Sequence, residues 1–350
     1  MNPAATPGHV VNACAPIRIC DLGGWTDTWF ARRGKVFNLG VTPEVEVQLA
    51  VRARAAVPHR VTLRAGNFDD RYEFELGALP GHHALLEAAI DEIGLPDDVA
   101  VAVDVFSEAP PGSSTGTSAA ATVALIGALD ALTPGRMTRA EIAAAAHRVE
   151  AERLCLQSGI QDQLAAAFGG INFIEMDAYP RASVTQLSVA GDVWWELEQR
   201  LVLCSLGRAH TSTAVHEQVI ATLDREREPA ALEELRRAAE LGRDAVLDGD
   251  FAALGRAMSH NTELQRGLHA ELVGEAADTV IAVAAAHRAL GWKVNGAGGA
   301  GGSVTVLCDA ARRVRRELLD ALRDADPAFA IVPVRLSRHG LRVWQVPVSS

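Results

Sequence analysis

The spacing of apolar residues predicts three β elements in the first third of the chain. Apolar side chains occupy every second position over residues 44–51, and the same alternation returns over 99–106. A period of two is typical of a strand with one buried face. Residues 60–76 predict a hairpin, because two strand-like runs flank an Ala-Gly-Asn turn.

Helical patterns then replace the alternation up to a polar stretch. Helices are predicted over 118–132, 140–156 and 161–168, and a further strand over 171–176. The polar, proline-containing stretch 177–188 is the best candidate for a domain boundary. We therefore expect an N-terminal domain over residues 1–185 and a C-terminal domain over 186–350.

The second half combines strands and helices again. Strands are predicted over 200–205, 292–295 and 303–308, and helices over 214–223, 229–248, 251–261, 272–290 and 310–324. The segments 328–336 and 341–348 are predicted to pair across His339-Gly340. Because strands and helices do not alternate regularly, the fold class expected is α+β.

Composition and charge narrow the class of protein. A formal charge of −11 and an isoelectric point near 5.5 argue against a broad nucleic-acid surface and favour a small-molecule partner. Five scattered cysteines without zinc-ligand spacing favour a reducing compartment. The longest uncharged apolar run, 119–129, is too short for a membrane span. We expect a cytoplasmic protein without membrane or nucleic-acid partners, either a monomer or a homodimer.

The clearest chemistry lies in a glycine- and hydroxyl-rich loop over residues 110–120, which opens directly into the apolar helix. The first turn of a helix has unpaired N–H groups and about half a positive charge, and glycines let an anion approach the backbone. The loop is therefore a candidate phosphate site, with these residues in reach of the anion: Pro111, Gly112, Ser113, Ser114, Thr115, Gly116, Thr117 and Ser118.

Other interpretations of the glycine-rich segments are weaker. A Ser/Thr N-cap after a Pro-Gly turn would explain any three of the loop residues, but not the whole segment. Gly112–Gly116 also satisfies Gly-x-Ser-x-Gly, with Ser114 as a hydrolase nucleophile, yet prolines interrupt the strand that such an elbow needs. Residues 296–301 satisfy Gly-x-Gly-x-x-Gly, but a strand follows where a dinucleotide site needs a helix. No Gly-x-x-x-x-Gly-Lys-[Ser/Thr] motif occurs.

Four segments together resemble the GHMP kinase superfamily of galactokinase, homoserine kinase, mevalonate kinase and phosphomevalonate kinase. They are residues 15–18 with 22–28, the loop over 110–120, residues 158–163, and the glycine-rich run 295–302. The resemblance implies an N-terminal domain like ribosomal protein S5 domain 2, a ferredoxin-like C-terminal domain, and an active site between them. It also implies ATP and Mg²⁺ as cofactors.

The string Gly-Gly-Trp-Thr-Asp-Thr over 23–28 resembles the sugar-1-kinase branch, which includes fucokinase, glucuronokinase and D-glycero-D-manno-heptose 7-phosphate kinase. The resemblance implies an ATP-dependent kinase acting on a free sugar or sugar phosphate, at the anomeric C1 hydroxyl. A non-sugar alcohol as substrate and a catalytically inactive sugar- or nucleotide-binding homologue remain as alternatives. ATP turnover on a panel of sugars distinguishes them.

The resemblance also implies roles for individual residues. Asp162 would orient the substrate hydroxyl or accept its proton, and Arg18 would neutralise charge on the transferred phosphoryl group. Ser118 and Glu152 would hold Mg²⁺, with Glu150 as a competitor for the carboxylate position. The sugar would contact Gly24, Trp25, Thr26, Asp27, Gly159, Gly298 and Gly299. Apart from the resemblance, Arg208 follows a strand of the second half and is a candidate to hold a carboxylate or phosphate on the sugar.

Overall fold

The computed structural model describes residues 8–133, 136–207, 213–225 and 230–347. Its strands are β1 His9–Leu22, β2 Gly34–Ala53, β3 Val61–Ala65, β4 Asp70–Phe74, β5 Val99–Ser107, β6 Ile171–Ala178, β7 Arg181–Gln186, β8 Leu201–Ser205, β9 Gly291–Val294, β10 Ser303–Leu307, β11 Ala330–Val332 and β12 Arg342–Pro347. Its helices are α1 Ala84–Ile93, α2 Thr117–Asp130, α3 Arg139–Arg148, α4 Gln161–Phe168, α5 Gly191–Arg200, α6 Thr213–Arg225, α7 Ala230–Asp248, α8 Phe251–Leu268, α9 Glu275–Ala286 and α10 Arg312–Ala325.

The first sheet has the order β12-β1-β2-β5-β3-β4, and β6 and β7 extend it from the first half of the long strand β2. The alternation predicted from sequence is confirmed, because Val45, Val47 and Leu49 are buried while Glu46 and Gln48 are exposed. Helices α2 and α4 cover the buried face of β1 and β2. This packing brings the start of α2 beside the middle of β1.

The second sheet has the order β11-β8-β10-β9, and its paired strands are antiparallel. In chain order β8 is followed by helices, then β9, β10, α10 and β11, which is the β-α-β-β-α-β arrangement of ferredoxin-like domains. Helices α9 and α10 pack with this sheet around their own buried cluster. The two-domain α+β architecture expected from the sequence is confirmed.

The prediction of a C-terminal hairpin is wrong. Strand β11 pairs with β8 in the second sheet, whereas β12 returns to the first sheet and pairs with β1, with Trp344 opposite Asn12. A turn signal reports only local chain reversal, and here each strand finds a better partner far away in sequence. Strand β7 also lies inside the stretch 177–188 that the sequence marks as a boundary. The division at residue 185 stays a prediction.

In the described part of the chain, no helix combines the length and the apolar character needed to cross a bilayer.

Candidate active site

The loop over residues 110–120, which we call the phosphate loop after its candidate role, connects β5 to α2. Gly116 adopts a left-handed conformation (φ 70°) as the N-cap of α2, and no described side chain caps the helix. The buried hydroxyls of Ser113 and Thr115 lie 2.9 Å apart, and Thr115 contacts the Thr117 hydroxyl at 3.1 Å. Ser118 is exposed on the first helical turn. The predicted start of the helix is confirmed. The N–H groups of its first turn lie beside hydroxyls that hydrogen-bond to one another.

A partly buried ion pair lies directly behind this loop. Arg18 on β1 is 4% exposed; its Nε donates to Asp162 Oδ1 at 2.8 Å and its Nη2 donates to Oδ2 at 3.2 Å. Arg18 Nη1 donates to the carbonyl of Ser114, and its backbone N donates to the carbonyl of Thr115 at 2.9 Å. A Cβ on Gly116 would lie 3.2 Å from the Asp162 carboxyl carbon, so glycine allows this close approach. The structure thus brings Arg18, Asp162 and the phosphate loop together.

On the other side of the pair lies a cavity of about 170 Å³. Its lining includes the predicted substrate residues Gly24, Trp25, Asp27 and Gly159, together with the aromatic side chains Trp29 and Phe30. Asp27 is buried, and its Oδ2 accepts a hydrogen bond from the backbone N of Gln161 at 3.1 Å. A Cβ on Gly159 would collide with the same carboxylate.

Other predicted substrate residues do not line this cavity. The buried Thr26 hydroxyl donates to the carbonyl of Gly23 at 2.7 Å, so it shapes the turn. Gly299 N donates to the carbonyl of Leu272 at 2.9 Å, and a Cβ on Gly298 would collide with that carbonyl. The glycine-rich run instead reaches the cavity through Gly296 and Ala297. Arg208 lies outside the described residues.

The structure separates the two candidate metal carboxylates. Helix α3 continues into one turn of π-helix over Val149–Arg153, which shifts the register of the following side chains. Glu152 is exposed and faces a different cavity beside Arg148, away from the phosphate loop. Glu150 is 8% exposed, and its Oε2 accepts from Ser158 Oγ at 2.6 Å and Gln163 Nε2 at 2.7 Å. Glu150 therefore lies inside the protein, close enough to Asp162 for their charges to interact, whereas Glu152 lies at another cavity.

The charge on Glu150 depends on its surroundings. Burial raises the pKa of Glu150 to about 7. The negative charge of the nearby Asp162 also raises it, whereas the hydrogen bond from Ser158 lowers it. A cation beside Glu150 would stabilise the carboxylate. Within the described ranges no group of three or more His, Cys, Asp or Glu side chains is placed to hold a metal ion. A cation here would need a hydroxyl and a phosphate as further ligands.

Polar contacts from the second domain close the site. Asp21 on β1 accepts from the backbone N of Gly296 at 3.0 and 3.1 Å. The side chains of Asp21 and Lys293 are 0% and 1% exposed, and Lys293 Nζ lies 3.5 Å from Asp21 Oδ1. Ser303 Oγ donates to the carbonyl of Ser113 at 2.6 Å. The glycine-rich run is therefore fixed to both β1 and the phosphate loop.

A second cavity, of about 320 Å³, opens beside the loop and was missed by the sequence reasoning. Its lining is mainly apolar and includes Phe68, Leu86 and Ala109 next to the loop residues Pro111 and Thr117. The segment that carries Phe68 is held against β5 by Asn67, whose side chain donates to the Ser107 carbonyl at 2.6 Å and accepts from its N at 2.8 Å. The available signal in the sequence was an aromatic residue, Phe68, directly after a predicted turn.

The geometry does not support the two rival motifs. Strand β5 ends at Ser107, well before Ser114, so the strand does not run straight into the turn that a nucleophile elbow needs. The glycine-rich run 296–301 is followed by strand β10, not by a helix, so it lacks the dinucleotide-binding arrangement.

The fold and the site agree with a family of small-molecule kinases. The model described as "GHMP kinases N terminal domain" matches residues 83–170, and "GHMP kinases C terminal" matches residues 231–324. The chain therefore belongs to the GHMP kinase family and is a phosphotransferase with an alcohol group as acceptor.

Individual relatives include several sugar kinases. The chain is 26% identical over 330 residues to the bifunctional fucokinase/GDP-fucose pyrophosphorylase of Arabidopsis thaliana, covering 87% of this chain but only 30% of that protein. It is 26% identical to the D-glycero-alpha-D-manno-heptose 7-phosphate kinase of Campylobacter jejuni, covering 69% of this chain and 70% of that protein. A D-glycero-D-manno-heptose 1-phosphate kinase structure from Bacteroides thetaiotaomicron has a TM-score of 0.74 at 21% identity, covering 96% and 99% of the two chains. The mevalonate kinase of Pyrococcus furiosus also matches, at 28% identity over 71% of this chain and 70% of that protein.

The buried Asp27 predicts a measurable effect on stability. Burial, reinforced by Asp162, raises the pKa of Asp27 from its ordinary value of 3.8 to about 6, despite the hydrogen bond from Gln161. The folded state therefore holds this proton more tightly, and stability is lost as pH rises from about 4 to about 6. We expect Asp27→Asn to raise the free energy of unfolding at pH 8 by about 2–3 kcal/mol.

Urea denaturation of wild type and variant between pH 4 and pH 8 measures this effect. The exposed Asp177→Asn on β6 is the matched control and should change the profile little. Parallel pH profiles for wild type and Asp27→Asn would show that Asp27 titrates normally in the folded protein.

Proposed function

We propose that the protein is an ATP- and Mg²⁺-dependent kinase that phosphorylates a monosaccharide at the anomeric C1 hydroxyl. The observation that carries the proposal is the partly buried Arg18–Asp162 pair, which lies between the phosphate loop and the cavity lined by Asp27 and Trp25. The choice of a sugar as substrate is supported by the similarity of the chain to a fucokinase and to a heptose 7-phosphate kinase. The C1 position is supported by the resemblance of residues 23–28 to sugar-1-kinases.

Each residue of the pair has a distinct role in this proposal. Asp162 accepts a hydrogen bond from the attacking hydroxyl, orients it, and takes its proton as the new O–P bond forms and the bond between the γ-phosphorus and the bridging oxygen breaks to release ADP. Arg18, held by Asp162 and the Ser114 carbonyl, presents a fixed positive charge to the phosphoryl oxygens. Phosphoryl transfer depends mainly on positioning and charge stabilisation, so an already ordered pair suits it.

The residues present fit ATP and Mg²⁺. The apolar cavity beside Pro111 and Thr117 suits a nucleoside, and the uncapped start of α2 suits its phosphates. Ser118 and Glu150 would hold the metal, since Mg²⁺ prefers hard oxygen ligands in company with phosphate and water. Bound Mg²⁺ would supply neutralisation of negative charge on the phosphates.

A substrate panel tests the proposed reaction. ADP release is measured with fucose, arabinose, glucuronate, galactose, mannose, heptose 7-phosphate and mevalonate, and the position of the new phosphate is determined by ³¹P NMR. We expect turnover with at least one sugar and phosphate on C1. Phosphate on another hydroxyl would overturn the C1 assignment. Turnover of mevalonate alone would overturn the proposal that the substrate is a sugar.

The metal assignment predicts a contrast between two nearby glutamates. Ser118→Ala and Glu150→Gln should each weaken Mg²⁺-dependent ATP binding by about tenfold or more, since each removes an oxygen ligand. Glu152→Gln is the control, because that side chain is exposed and faces away from the loop. Calorimetry with and without Mg²⁺ measures the effect, and a loss confined to Glu152→Gln would restore Glu152 as the ligand.

A further inference from the structure

The cavity beside Asp162 has an unbalanced set of charges. Its described lining contains the carboxylates of Asp21, Asp27 and Asp162 and one arginine, Arg18. Arg18 is already engaged, with Nε and Nη2 on Asp162 and Nη1 on the Ser114 carbonyl. In the described part of the lining, a second negative group on a ligand would therefore meet carboxylates without a guanidinium or ammonium group to receive it.

The nearby lysine pairs with Asp21 but offers no charge to a ligand. Lys293 is fully buried behind Asp21, and its Nζ donates to Gln265 Oε1 at 3.1 Å and to the carbonyl of Val294. It does not line the cavity. His216 does line it, and its ring packs edge-on against the ring of Trp25 at a centroid distance of 5.5 Å.

Two unpaired polar atoms belong to residues of the same lining. Trp25 Nε1 and Gln161 Oε1 are buried and have no hydrogen-bond partner among the described residues. Gln161 is 7% exposed. Buried polar atoms without partners are costly, so a ligand that reached this pair would be stabilised by accepting from the indole and donating to the amide. A hydroxyl group can do both, whereas a phosphate or carboxylate at neutral pH mainly accepts.

Apolar surface completes the cavity. Trp25, Trp29 and Phe30 lie close together, with ring centroids of Trp25 and Phe30 6.5 Å apart and those of Trp29 and Phe30 5.3 Å apart. Aromatic faces pack well against the C–H groups of a ring. The lining thus offers apolar surface for a ring face together with carboxylate and amide acceptors for hydroxyl protons.

We propose that this cavity selects a neutral monosaccharide and rejects sugar phosphates and sugar acids. The proposal rests on the kinase function proposed above and adds the charge of its substrate. Hydroxyls donate to Asp27 and Gln161, whereas an anionic substituent meets the carboxylate of Asp27 and, in the described lining, no free cation, so it loses its hydration without compensation. The selectivity comes from repulsion of the charged sugar as well as from attraction to the neutral one.

Matched sugars test the proposal. For galactose, mannose and glucose, kcat/KM is measured with the neutral sugar, its uronic acid and its 6-phosphate, and fucose and arabinose are added as neutral sugars. We expect the preferred neutral sugar to exceed its charged derivatives by about 100-fold or more. Heptose 7-phosphate is included in the series. If the enzyme phosphorylates a charged sugar as efficiently as the neutral sugars, or more efficiently, the proposed selectivity is overturned, but the sugar kinase function is supported.

Binding measurements keep the test decisive if no sugar is turned over. Calorimetry then measures binding of the same series. Binding of a neutral sugar alone supports the proposed selectivity and, without turnover, contradicts the kinase reaction. Binding without that preference overturns the selectivity. The variant Arg208→Gln is also measured, because Arg208 is a predicted substrate residue that lies outside the described residues. Loss of activity on a preferred sugar phosphate in that variant would assign Arg208 as its anion partner and overturn the proposal.

A variant tests the role of Gln161 itself. Gln161→Leu should raise KM for the preferred neutral sugar about tenfold and leave KM for ATP unchanged, because the amide lies on the sugar side of Asp162. Gln199→Leu, at an exposed position on α5, is the matched control. An unchanged KM for sugar in Gln161→Leu would remove Gln161 from the recognition of the hydroxyls.

Discussion

Asp162→Asn is expected to lower kcat by about 10²–10⁴-fold, the usual contribution of a positioned acid or base. The change leaves the shape of the side chain almost unaltered but removes the proton acceptor beside the cavity. It also removes a negative charge that holds Arg18, which burial alone would destabilise in its charged form. The affinity for ATP should change little, because the phosphate loop and the apolar cavity beside it are intact.

Steady-state kinetics and calorimetry with ATP separate these effects. Thermal unfolding is measured on the same samples, since the single oxygen of the asparagine amide cannot accept both of the hydrogen bonds that Arg18 donates to Asp162. Asp104→Asn is a suitable control because Asp104 lies on the other side of the first sheet in an exposed ion pair with Arg64. If Asp162→Asn keeps near-wild-type kcat in a folded protein, Asp162 is not the group that receives the proton.

The sequence predicted the parts of the site that depend on local chemistry. The start of α2 at Thr117 follows from glycine and hydroxyl residues before an apolar run, and α4 over Gln161–Phe168 matches its predicted bounds. The Arg18–Asp162 pairing was accessible only through the resemblance to a family, since the two residues are far apart in sequence. Local patterns define elements, but they do not state which elements meet.

What the sequence did not predict depends on tertiary packing. Strand β1 is buried along most of its length, so it shows no alternation and was not recognised as a strand. Glu150 is buried and Glu152 is exposed within one turn of π-helix, which no residue type specifies. The cavity beside Phe68 is assembled from separate segments without a shared motif. The same limit explains the wrong pairing of β12, because its partner β1 lies at the opposite end of the chain.

The site therefore depends on contacts between the two domains as much as on either alone. Asp21 and Gln265 receive the ammonium group of Lys293 while Asp21 also holds Gly296, so one buried cluster joins β1 to the glycine-rich run. Cys20 N donates to Asn295 Oδ1 at 2.9 Å in the same region. These contacts fix the wall of the cavity relative to Arg18 before any ligand binds.

Lys293→Met should lower the free energy of unfolding by about 3–5 kcal/mol, because removing one partner leaves the carboxylate of Asp21 buried without its counter-ion. Urea denaturation measures the loss. The double variant Asp21→Asn with Lys293→Met should lose less than Lys293→Met alone, since the isolated charge is gone and the asparagine oxygen can still accept from Gly296.

The other lysine of the chain supplies the control for this experiment. Lys35 forms its ion pair with Glu240 at a partly exposed position, where each side chain is 35% exposed. Exposed pairs contribute about 0–1 kcal/mol, so Lys35→Met should have a small effect. Equal losses in Lys35→Met and Lys293→Met would show that burial does not strengthen the Asp21–Lys293 pair. A large loss in Lys293→Met alone, with raised KM for sugar in the folded fraction, would show that the pair both stabilises the fold and positions the glycine-rich run at the cavity.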